Sequence, residues 1–437
     1  MTDDPRRRTP RTDAVLADPD VAAAVLRLGR GRVKSVVVEV LESCRRGEVP
    51  PDDVVPCVLR ALPDAATTLR PVINATGVVV HTNLGRAPLS EAAVEAVRRA
   101  AGATDVELDL SSGLRGPRGR GALAALAAAV PRAGGVHVVN NGAAALSLVA
   151  CALAGTERDQ GREVVIARGE LVEIGDGFRI PELLESLGVR LREVGTTNRV
   201  RVTDYEAAIG ASTAFVLKVH PSNFRVEGFT SAVSVAELAG LGVPLVVDIG
   251  SGLLAPHPRL PDEPDASSVL RDGADLVTAS GDKLLGGPQC GLLLGDAGLV
   301  QRLRRHPFAR ALRVDKLTLA ALEATLTGPV PPVPSVLAAR PDELLARAAR
   351  LATRIGDLAS AAPSQGRVGG GGAPGVLLPS AAVVLPPALA APLRLGDPAV
   401  VGHVHDDRLH LDLLTVPGEL DEALAAAVLR AAGRSEG

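Results

Sequence analysis

Lysine is rare in this chain, and one lysine stands where an amine could act as a nucleophile. The 47 basic side chains (Lys and Arg) include only four lysines: Lys34, Lys218, Lys283 and Lys316. Lys283 lies among glycines, follows a predicted strand at 275–278 and has the hydroxyl of Ser280 three residues before it. A lysine that forms a Schiff base must lose its proton, which a partly desolvated site near other positive charge favours. Lys283 is therefore the strongest candidate for this chemistry, and Ser280 could hold a cofactor phosphate.

A carboxylate ends the predicted strand that precedes the lysine strand. Asp248 follows the apolar pair Val246-Val247, and a buried acid is costly unless it is paired or hydrogen-bonded. Pyridoxal phosphate (PLP) offers a partner, because an acid beside its pyridine nitrogen keeps that nitrogen protonated and makes the ring an electron sink. By itself Asp248 could equally be a helix cap or turn residue. Its place on the strand just before that of Lys283 favours the PLP interpretation.

Two further strand ends carry residues that suit the same cofactor. Asn141, Gly142 and Ala143 join a predicted strand to a helix, and small residues at a helix N-terminus let backbone amides approach a phosphate. His220 also follows a predicted strand and could contact the phenolic oxygen or the face of PLP, or be a structural histidine. Lys218, which alternates with apolar neighbours, is interpreted as structural or as a salt-bridge partner.

The elements that would position these residues alternate along the middle of the chain. The predicted strands are 136–139, 164–167, 215–219, 244–248, 275–278 and 291–294. Helical stretches separate them, which is typical of an α/β fold with a mostly parallel central sheet covered on both faces. In such sheets ligands bind beyond the C-terminal ends of the strands. The candidate residues all follow strands, so the sheet would bring them to one edge.

Composition divides the chain into three predicted domains. Residues 1–69 have a helical pattern and form a small N-terminal domain, whose charged first 12 residues are expected to be disordered. Residues 70–328 form the large α/β domain. A proline-rich linker begins the segment 329–437, in which a helix, several strands and a final helix predict a small α+β domain.

Composition also restricts the location and the partners of the protein. No apolar run reaches about 18 residues, so no membrane span is predicted. The polar, arginine-rich N-terminus lacks the apolar segment of a secretory signal, which favours a cytoplasmic protein. The four cysteines form no C-x-x-C pair, so no metal site is predicted. The net charge of −3 excludes a uniformly basic nucleic-acid binder but is compatible with a local basic patch.

Long strings across most of the chain resemble the bacterial selenocysteine synthases, the L-seryl-tRNA(Sec) selenium transferases. They are Arg70-Pro-Val-Ile-Asn-Ala-Thr-Gly-Val78, His81-Thr-Asn-Leu-Gly-Arg86, Arg168-Gly-Glu-Leu-Val-Glu-Ile-Gly175, Glu193-Val-Gly-Thr-Thr-Asn-Arg199, Lys218-Val-His-Pro-Ser-Asn-Phe224, Ser280-Gly-Asp-Lys-Leu-Leu-Gly-Gly-Pro288 and Arg310-Ala-Leu-Arg-Val-Asp-Lys-Leu317. This family belongs to the fold-type-I PLP-dependent transferases, which agrees with the alternating strands and helices.

The resemblance implies a reaction and roles for several residues. L-seryl-tRNA(Sec) would become L-selenocysteinyl-tRNA(Sec) by way of a PLP aldimine and an aminoacrylate, with selenophosphate as the selenium donor. Lys283 would carry PLP and remove the Cα proton, Asp248 would keep the ring nitrogen protonated, and Asp282 would lie close by. Three arginines would hold the selenophosphate anion: Arg86, Arg310 and Arg313.

The resemblance also implies partners. The N-terminal domain would grip the tRNA, and a basic segment between predicted helices that end at Leu28 and begin at Val33 would contact phosphates. The basic side chains of that segment are Arg27, Arg30, Arg32 and Lys34. The family forms large homo-oligomers built from dimers, possibly decamers, with active sites shared between subunits.

The chain departs from the family pattern at two places, and two alternative functions remain open. Gly142 stands where a third asparagine is usual, and the segment 115–121 replaces one that commonly contains Tyr and His. A PLP-dependent ammonia lyase acting on a small amino (sugar) acid would share Lys283 and Asp248, but it would not need the helical residues 13–69. A catalytically inactive tRNA-binding relative would have no reason to keep Lys283 and Asp248.

Overall fold

The chain folds into two compact units that meet in sequence at Pro71–Val72. The computed structural model describes residues 8–155, 162–175 and 177–433. The predicted disordered segment 1–12 lies mostly outside these residues. Within them, no helix combines the length and the apolar character needed to cross a bilayer.

The first unit is helical. Over residues 8–71 its helices are α1 (Thr12–Leu16), α2 (Pro19–Leu28), α3 (Arg30–Arg45) and α4 (Val54–Ala61). They bury a common apolar core that includes Val21, Val37 and Val58. The connection between α2 and α3 is shorter than the sequence predicted. It consists of Gly29 alone, whose φ is 87°. Arg30 and Arg32, which the sequence placed between the two helices, therefore lie on the first turn of α3.

The second unit contains all the strands of the described residues and the remaining helices. Its strands are β1 (Val72–Asn74), β2 (Val78–Val80), β3 (Gly135–Val139), β4 (Glu163–Ala167), β5 (Glu173–Ile174), β6 (Phe178–Arg179), β7 (Arg190–Val194), β8 (Thr213–Val219), β9 (Leu245–Gly250), β10 (Leu276–Ser280), β11 (Gly291–Gly295), β12 (Ser360–Gly369), β13 (Leu377–Leu385), β14 (Ala399–Val401), β15 (His403–His405) and β16 (Arg408–Asp412). Its helices are α5 (Glu91–Ala100), α6 (Arg120–Ala129), α7 (Gly142–Ala154), α8 (Ile180–Ser186), α9 (Val202–Ala208), α10 (Val235–Leu238), α11 (Ala266–Arg271), α12 (Ala297–Arg305), α13 (Phe308–Ala311), α14 (Lys316–Thr327), α15 (Pro332–Leu337), α16 (Pro341–Ile355), α17 (Ala390–Leu395) and α18 (Asp421–Ala431).

A mostly parallel sheet forms the centre of the second unit. In the described part of the chain its order is β3-β11-β10-β9-β8-β4-β7, and only β11 runs antiparallel to its neighbours. The six predicted strands are all present. The seventh, β7, was not predicted because it pairs only with β4 at the sheet edge and leaves charged side chains exposed.

Helices cover both faces of this sheet. Alternate residues of the buried strands point to opposite faces, so Val165 and Val247 pack with α6, α9 and α14, while Ile166 and Val246 pack with α7, α8 and α12. The near-continuous apolar strands are what a sheet buried on both sides requires. The predicted α/β fold class is confirmed.

A smaller sheet follows the large one in sequence, in the order β15-β16-β13-β12-β2. Helices α16 and α18 pack on it through a shared apolar core. Its strand β2 comes from residues 78–80, which the sequence placed in the large domain, and it pairs in parallel with β12. The small sheet is thus discontinuous in sequence. The proline-rich segment expected to be a linker includes residues 332–334, which begin the helix α15.

Candidate active site

Lys283 lies on the turn that follows β10, with 9% of its surface exposed. Burial lowers the pKa of Lys283 below its ordinary value; Asp248 opposes this effect and Arg86 adds to it. A β-carbon added at Gly371 would come within 2.5 Å of Nζ, so the backbone of a distant glycine loop lies directly against the amine. A desolvated amine of lowered pKa is what a Schiff-base lysine needs.

Asp248 lies near the end of β9, buried and beside the lysine strand. Its Oδ1 accepts a hydrogen bond from Thr278 Oγ1 at 2.8 Å. Burial raises the pKa of Asp248, although the Thr278 hydrogen bond and the charge of Lys283 both act to lower it. The residue has capacity for another hydrogen bond, and a protonated pyridine nitrogen would supply both a donor and a positive charge.

The turn between β3 and α7 forms the candidate phosphate cradle, in which the N-terminus of α7 lies beside Ser280. The Asn141 side chain caps the helix by accepting from Ala144 N at 2.8 Å, and the amides of Gly142 and Ala143 have no acceptor inside the helix. A β-carbon at position 142 would come within 2.8 Å of Ser280 Oγ. Glycine at this departure from the family pattern therefore leaves the space between the hydroxyl and the helix N-terminus open.

His220 is joined to the neighbouring strand and to an acid that the sequence did not single out. Its amide donates to Asp248 O at 2.9 Å. Its ring Nε2 lies 3.3 Å from Glu263 Oε2, which also accepts from Ala373 N at 2.7 Å. No spacing pattern marks Glu263, because it lies on a loop and reaches His220 only through the tertiary fold.

The three predicted selenophosphate arginines occupy two places. Arg86 Nη1 donates to Asp282 Oδ2 at 2.8 Å, immediately beside Lys283. Arg310 and Arg313 instead line a cavity of about 560 Å³. Arg313 Nη1 lies 3.4 Å from Glu107 Oε1, and its backbone pairs with Val139 just before the phosphate cradle. A joint role of the three arginines in binding selenophosphate stays a prediction.

Residues 115–118 of the arginine-rich segment 115–121, the second departure from the family pattern, line the same cavity. Arg118 Nη2 donates to Val314 O at 2.9 Å, and its Nη1 lies 3.3 Å from Glu107 Oε1. Desolvation lowers the pKa of Arg313, and the positive charges of Arg118 and Arg310 act in the same direction. The segment thus adds positive charge next to Arg313 and fixes the backbone that follows it.

The remaining predicted residues are Lys218 and four basic side chains of the helical unit. Lys218 pairs with Glu170 at 2.8 Å, which confirms the salt-bridge interpretation. In the helical unit, the basic side chains predicted for tRNA are all exposed. They are Arg27 on α2 and Arg30, Arg32 and Lys34 on α3.

The mostly parallel sheet, with a buried lysine after β10 and a buried acid on β9, defines the class of fold-type-I PLP-dependent enzymes. Residues 72–417 match the family model described as L-seryl-tRNA selenium transferase, and residues 6–45 match that of the selenocysteine synthase N-terminal region. The chain belongs to the L-seryl-tRNA selenium transferase family, as its sequence motifs predicted. Family membership implies PLP as the cofactor.

Individual relatives agree with this assignment. The chain is 46% identical to the L-seryl-tRNA(Sec) selenium transferase of Moorella thermoacetica, over 84% of this chain and 82% of the relative. It is 41% identical to that of Hyphomonas neptunium, over 97% and 99%. Among solved structures, a D-glucosaminate-6-phosphate ammonia-lyase superposes with a TM-score of 0.59 over 84% of this chain and 96% of that one, at 20% identity. That similarity shows a shared fold.

Proposed function

We propose that this protein is a PLP-dependent enzyme that converts L-seryl-tRNA(Sec) to L-selenocysteinyl-tRNA(Sec) with selenophosphate. The observation that carries the proposal is the buried amine of Lys283, of lowered pKa, beside the buried carboxylate of Asp248. In a member of the L-seryl-tRNA selenium transferase family, this pair provides the amine and the acid that the chemistry requires.

The residues around this pair suit each part of the cofactor. Those that would hold PLP are Lys283 at its aldehyde carbon, Asp248 at its pyridine nitrogen, His220 at its ring, and Ser280 with the Asn141, Gly142 and Ala143 turn at its phosphate. The buried acid, the open cradle and the desolvated amine all fit such a group. When bound, PLP supplies an electron sink for charge that develops at the serine Cα.

Proton transfer at that carbon falls to Lys283. Because burial lowers its pKa, its neutral form is populated closer to physiological pH than that of an exposed lysine, so Nζ can accept the Cα proton. Asp282 holds the guanidinium of Arg86 at 2.8 Å, which keeps a positive charge beside the amine. Asp282 thereby maintains the electrostatic setting in which Lys283 acts.

Selenophosphate is an oxyanion, and arginine forks bind such anions in a bidentate manner. Arg86, Arg310 and Arg313 are the proposed ligands. Arg86 pairs with Asp282, the residue just before Lys283, whereas the backbone of Arg313 pairs with Val139, just before the phosphate cradle. The arginine-lined cavity of about 560 Å³ is large enough to admit an anion of this size.

The helical unit is the proposed tRNA-binding part of the protein. Its exposed basic side chains, Arg27, Arg30, Arg32 and Lys34, are suited to phosphate contacts. The match of residues 6–45 to the selenocysteine synthase N-terminal model supports this role. Free amino acids would not need such a surface.

A homo-oligomer built from dimers is proposed for the assembled protein. The loop after α5 exposes Leu108, Leu110 and Leu114 to 42%, 73% and 69% of their surface. Clustered exposed leucines favour burial against another protein surface, and a second copy of this chain is the proposed partner. Sedimentation of the purified protein measures its subunit number directly.

The two alternative functions have weaker support. The ammonia lyase with a similar fold is 20% identical, whereas the selenium transferases of Moorella and Hyphomonas are 46% and 41% identical. A catalytically inactive relative would have no need for Lys283 and Asp248 in their buried positions.

The direct test incubates purified protein with PLP, seryl-tRNA(Sec) and radiolabelled selenophosphate, and analyses the aminoacyl group released from the tRNA. We expect selenocysteine with the wild-type protein and only serine with Lys283→Ala. Elimination from a free amino acid, without change in the seryl-tRNA, would support the lyase. A PLP-loaded wild-type protein that transforms neither substrate would support the inactive relative.

A further inference from the structure

Glu263 is a buried acid that no predicted role accounts for. Its side chain is 1% exposed. Oε2 accepts a hydrogen bond from Ala373 N at 2.7 Å and lies 3.3 Å from His220 Nε2, while Oε1 is buried without a partner in the described residues. Burying a carboxylate that is only partly satisfied is unfavourable. A cost of this kind calls for a compensating role.

One partner of Glu263 belongs to the glycine loop, defined here as residues 369–375. Gly371 lies against Lys283, since a β-carbon there would come within 2.5 Å of Nζ. Ala373, two residues later, has a φ of 44°, which is unfavourable for a residue with a side chain. The amide of that same residue donates to Glu263. The carboxylate therefore stabilises a strained point of the loop that covers the lysine.

The other partner of Glu263 is the ring of His220. The backbone of His220 is fixed by its hydrogen bond to Asp248 O at 2.9 Å, but this bond does not set the rotation of the ring. The contact of Nε2 with Glu263 does, because an N–H that donates to a carboxylate restricts both the ring orientation and its tautomer. A single carboxylate thus contacts both His220 and the glycine loop.

We propose that Glu263 is a positioning residue of the active site, which orients the His220 ring and anchors the glycine loop over Lys283. The proposal rests on the function proposed above, in which His220 and Lys283 both face PLP. Glu263 itself touches neither the cofactor nor the substrate. It acts through the two groups that it holds.

The test compares Glu263→Ala, Glu263→Gln and, as a matched control, Asp262→Asn, which removes the same charge from an exposed neighbour. Hydrogen exchange of peptides spanning residues 369–376 reports the loop, and visible circular dichroism of bound PLP reports the packing around its ring. Both use the full-length protein with PLP alone.

For Glu263→Ala we expect loop exchange faster by about tenfold or more, as for loss of a hydrogen bond to a charged group, and a weakened circular dichroism band. Glu263→Gln keeps an acceptor for the Ala373 amide but loses the negative charge. Charge-assisted hydrogen bonds are about twice as strong as neutral ones. The loop of Glu263→Gln should therefore exchange at a rate between those of wild type and Glu263→Ala. Asp262→Asn should match the wild type.

Wild-type loop exchange and an unchanged band in Glu263→Ala would overturn the proposal. So would an increase in exchange spread evenly over the unit, since that indicates a general loss of stability. If Glu263→Ala does not fold, the loop exchange of Glu263→Gln is the test. A rate equal to that of wild type would overturn the proposal. Failure to bind PLP would instead count against the proposed function, while the loop exchange of the apoprotein still tests Glu263.

Discussion

Arg86 Nη1 donates to Asp282 Oδ2 at 2.8 Å, so the residue just before Lys283 holds a guanidinium beside the amine. Arg86 adopts a φ of 66°, a left-handed conformation that is unfavourable for a residue other than glycine. Strain of this kind persists where surrounding contacts compensate for it, often at functional sites. The ion pair with Asp282 provides such a contact.

Replacing Arg86 by Ala should shift the pH dependence of cofactor capture. Arg86 helps to lower the pKa of Lys283, so its removal should raise that pKa and reduce the neutral amine at a given pH. Capture of PLP by the apoprotein should therefore need a higher pH, which stopped-flow absorbance over a pH series measures. Arg99→Ala, at an exposed position, should behave as wild type. If the pH profile of PLP capture by Arg86→Ala does not move, or moves to lower pH, the charge of Arg86 does not lower the pKa of Lys283.

Replacing Thr278 by Val should weaken PLP binding, most strongly at acidic pH. The hydroxyl of Thr278 lowers the pKa of Asp248, which burial raises. Without this hydroxyl the pKa of Asp248 rises further, so acidification protonates the Asp248 carboxylate at a higher pH than in wild type. At neutral pH we expect PLP affinity to fall by about tenfold, the effect of one hydrogen bond to a charged group.

Titration of PLP into the apoprotein over a pH series measures the effect of Thr278→Val. The control is Thr353→Val, where the lost hydroxyl is exposed on α16 and bonds only to Ala349 O. A ratio of the two affinities that stays constant as the pH is lowered from neutral would show that ionisation of Asp248 does not govern cofactor binding.

The sequence allowed the sheet and the first residues of the site to be predicted together. Lys283 and His220 each follow an apolar strand and Asp248 lies near the end of another, and parallel strands place their carboxyl ends at one edge. Because that geometry depends on a local pattern, strand by strand, it can be predicted without knowledge of tertiary contacts. The role of each residue in PLP binding stays a prediction.

The contacts that complete the site could not be predicted because they join segments far apart in the chain. Glu263 reaches both His220 and Ala373, and Gly371 closes over Lys283 from a loop 88 residues later. The loop follows β12, which pairs with β2 although the two strands lie far apart in the sequence. This pairing brings the loop to the site. Such pairings depend on the tertiary fold and leave no periodic signal in the sequence.

Replacing Arg313 by Ala should impair the use of selenophosphate more than the binding of tRNA. Loss of a charge-assisted contact with an anion should raise the KM for selenophosphate by about tenfold or more. Steady-state kinetics and filter binding of seryl-tRNA(Sec) give the two quantities separately. Arg302→Ala, an exposed arginine of α12, should change neither. Equal losses in both measurements would count against an anion role for Arg313.

Replacing Arg32 and Lys34 by Gln should reduce the salt dependence of tRNA binding. Each phosphate contact that is lost should lower the slope of log affinity against log salt by about one unit. Gln at Arg45 and Arg46, which pair with acids at the other end of α3, is the matched control. A slope that is unchanged in the first double variant, or reduced equally in both, would exclude this surface as the phosphate contact.

Reduction of the PLP-loaded protein with borohydride, followed by peptide mass spectrometry, tests the central claim most directly. The reagent fixes a cofactor Schiff base as a stable phosphopyridoxyl-lysine at the residue that carries it. Only four lysines can compete: Lys34, Lys218, Lys283 and Lys316. We predict that the modification is found on Lys283 alone. Its presence on another lysine, or its absence from a protein that retains bound PLP, would contradict the account.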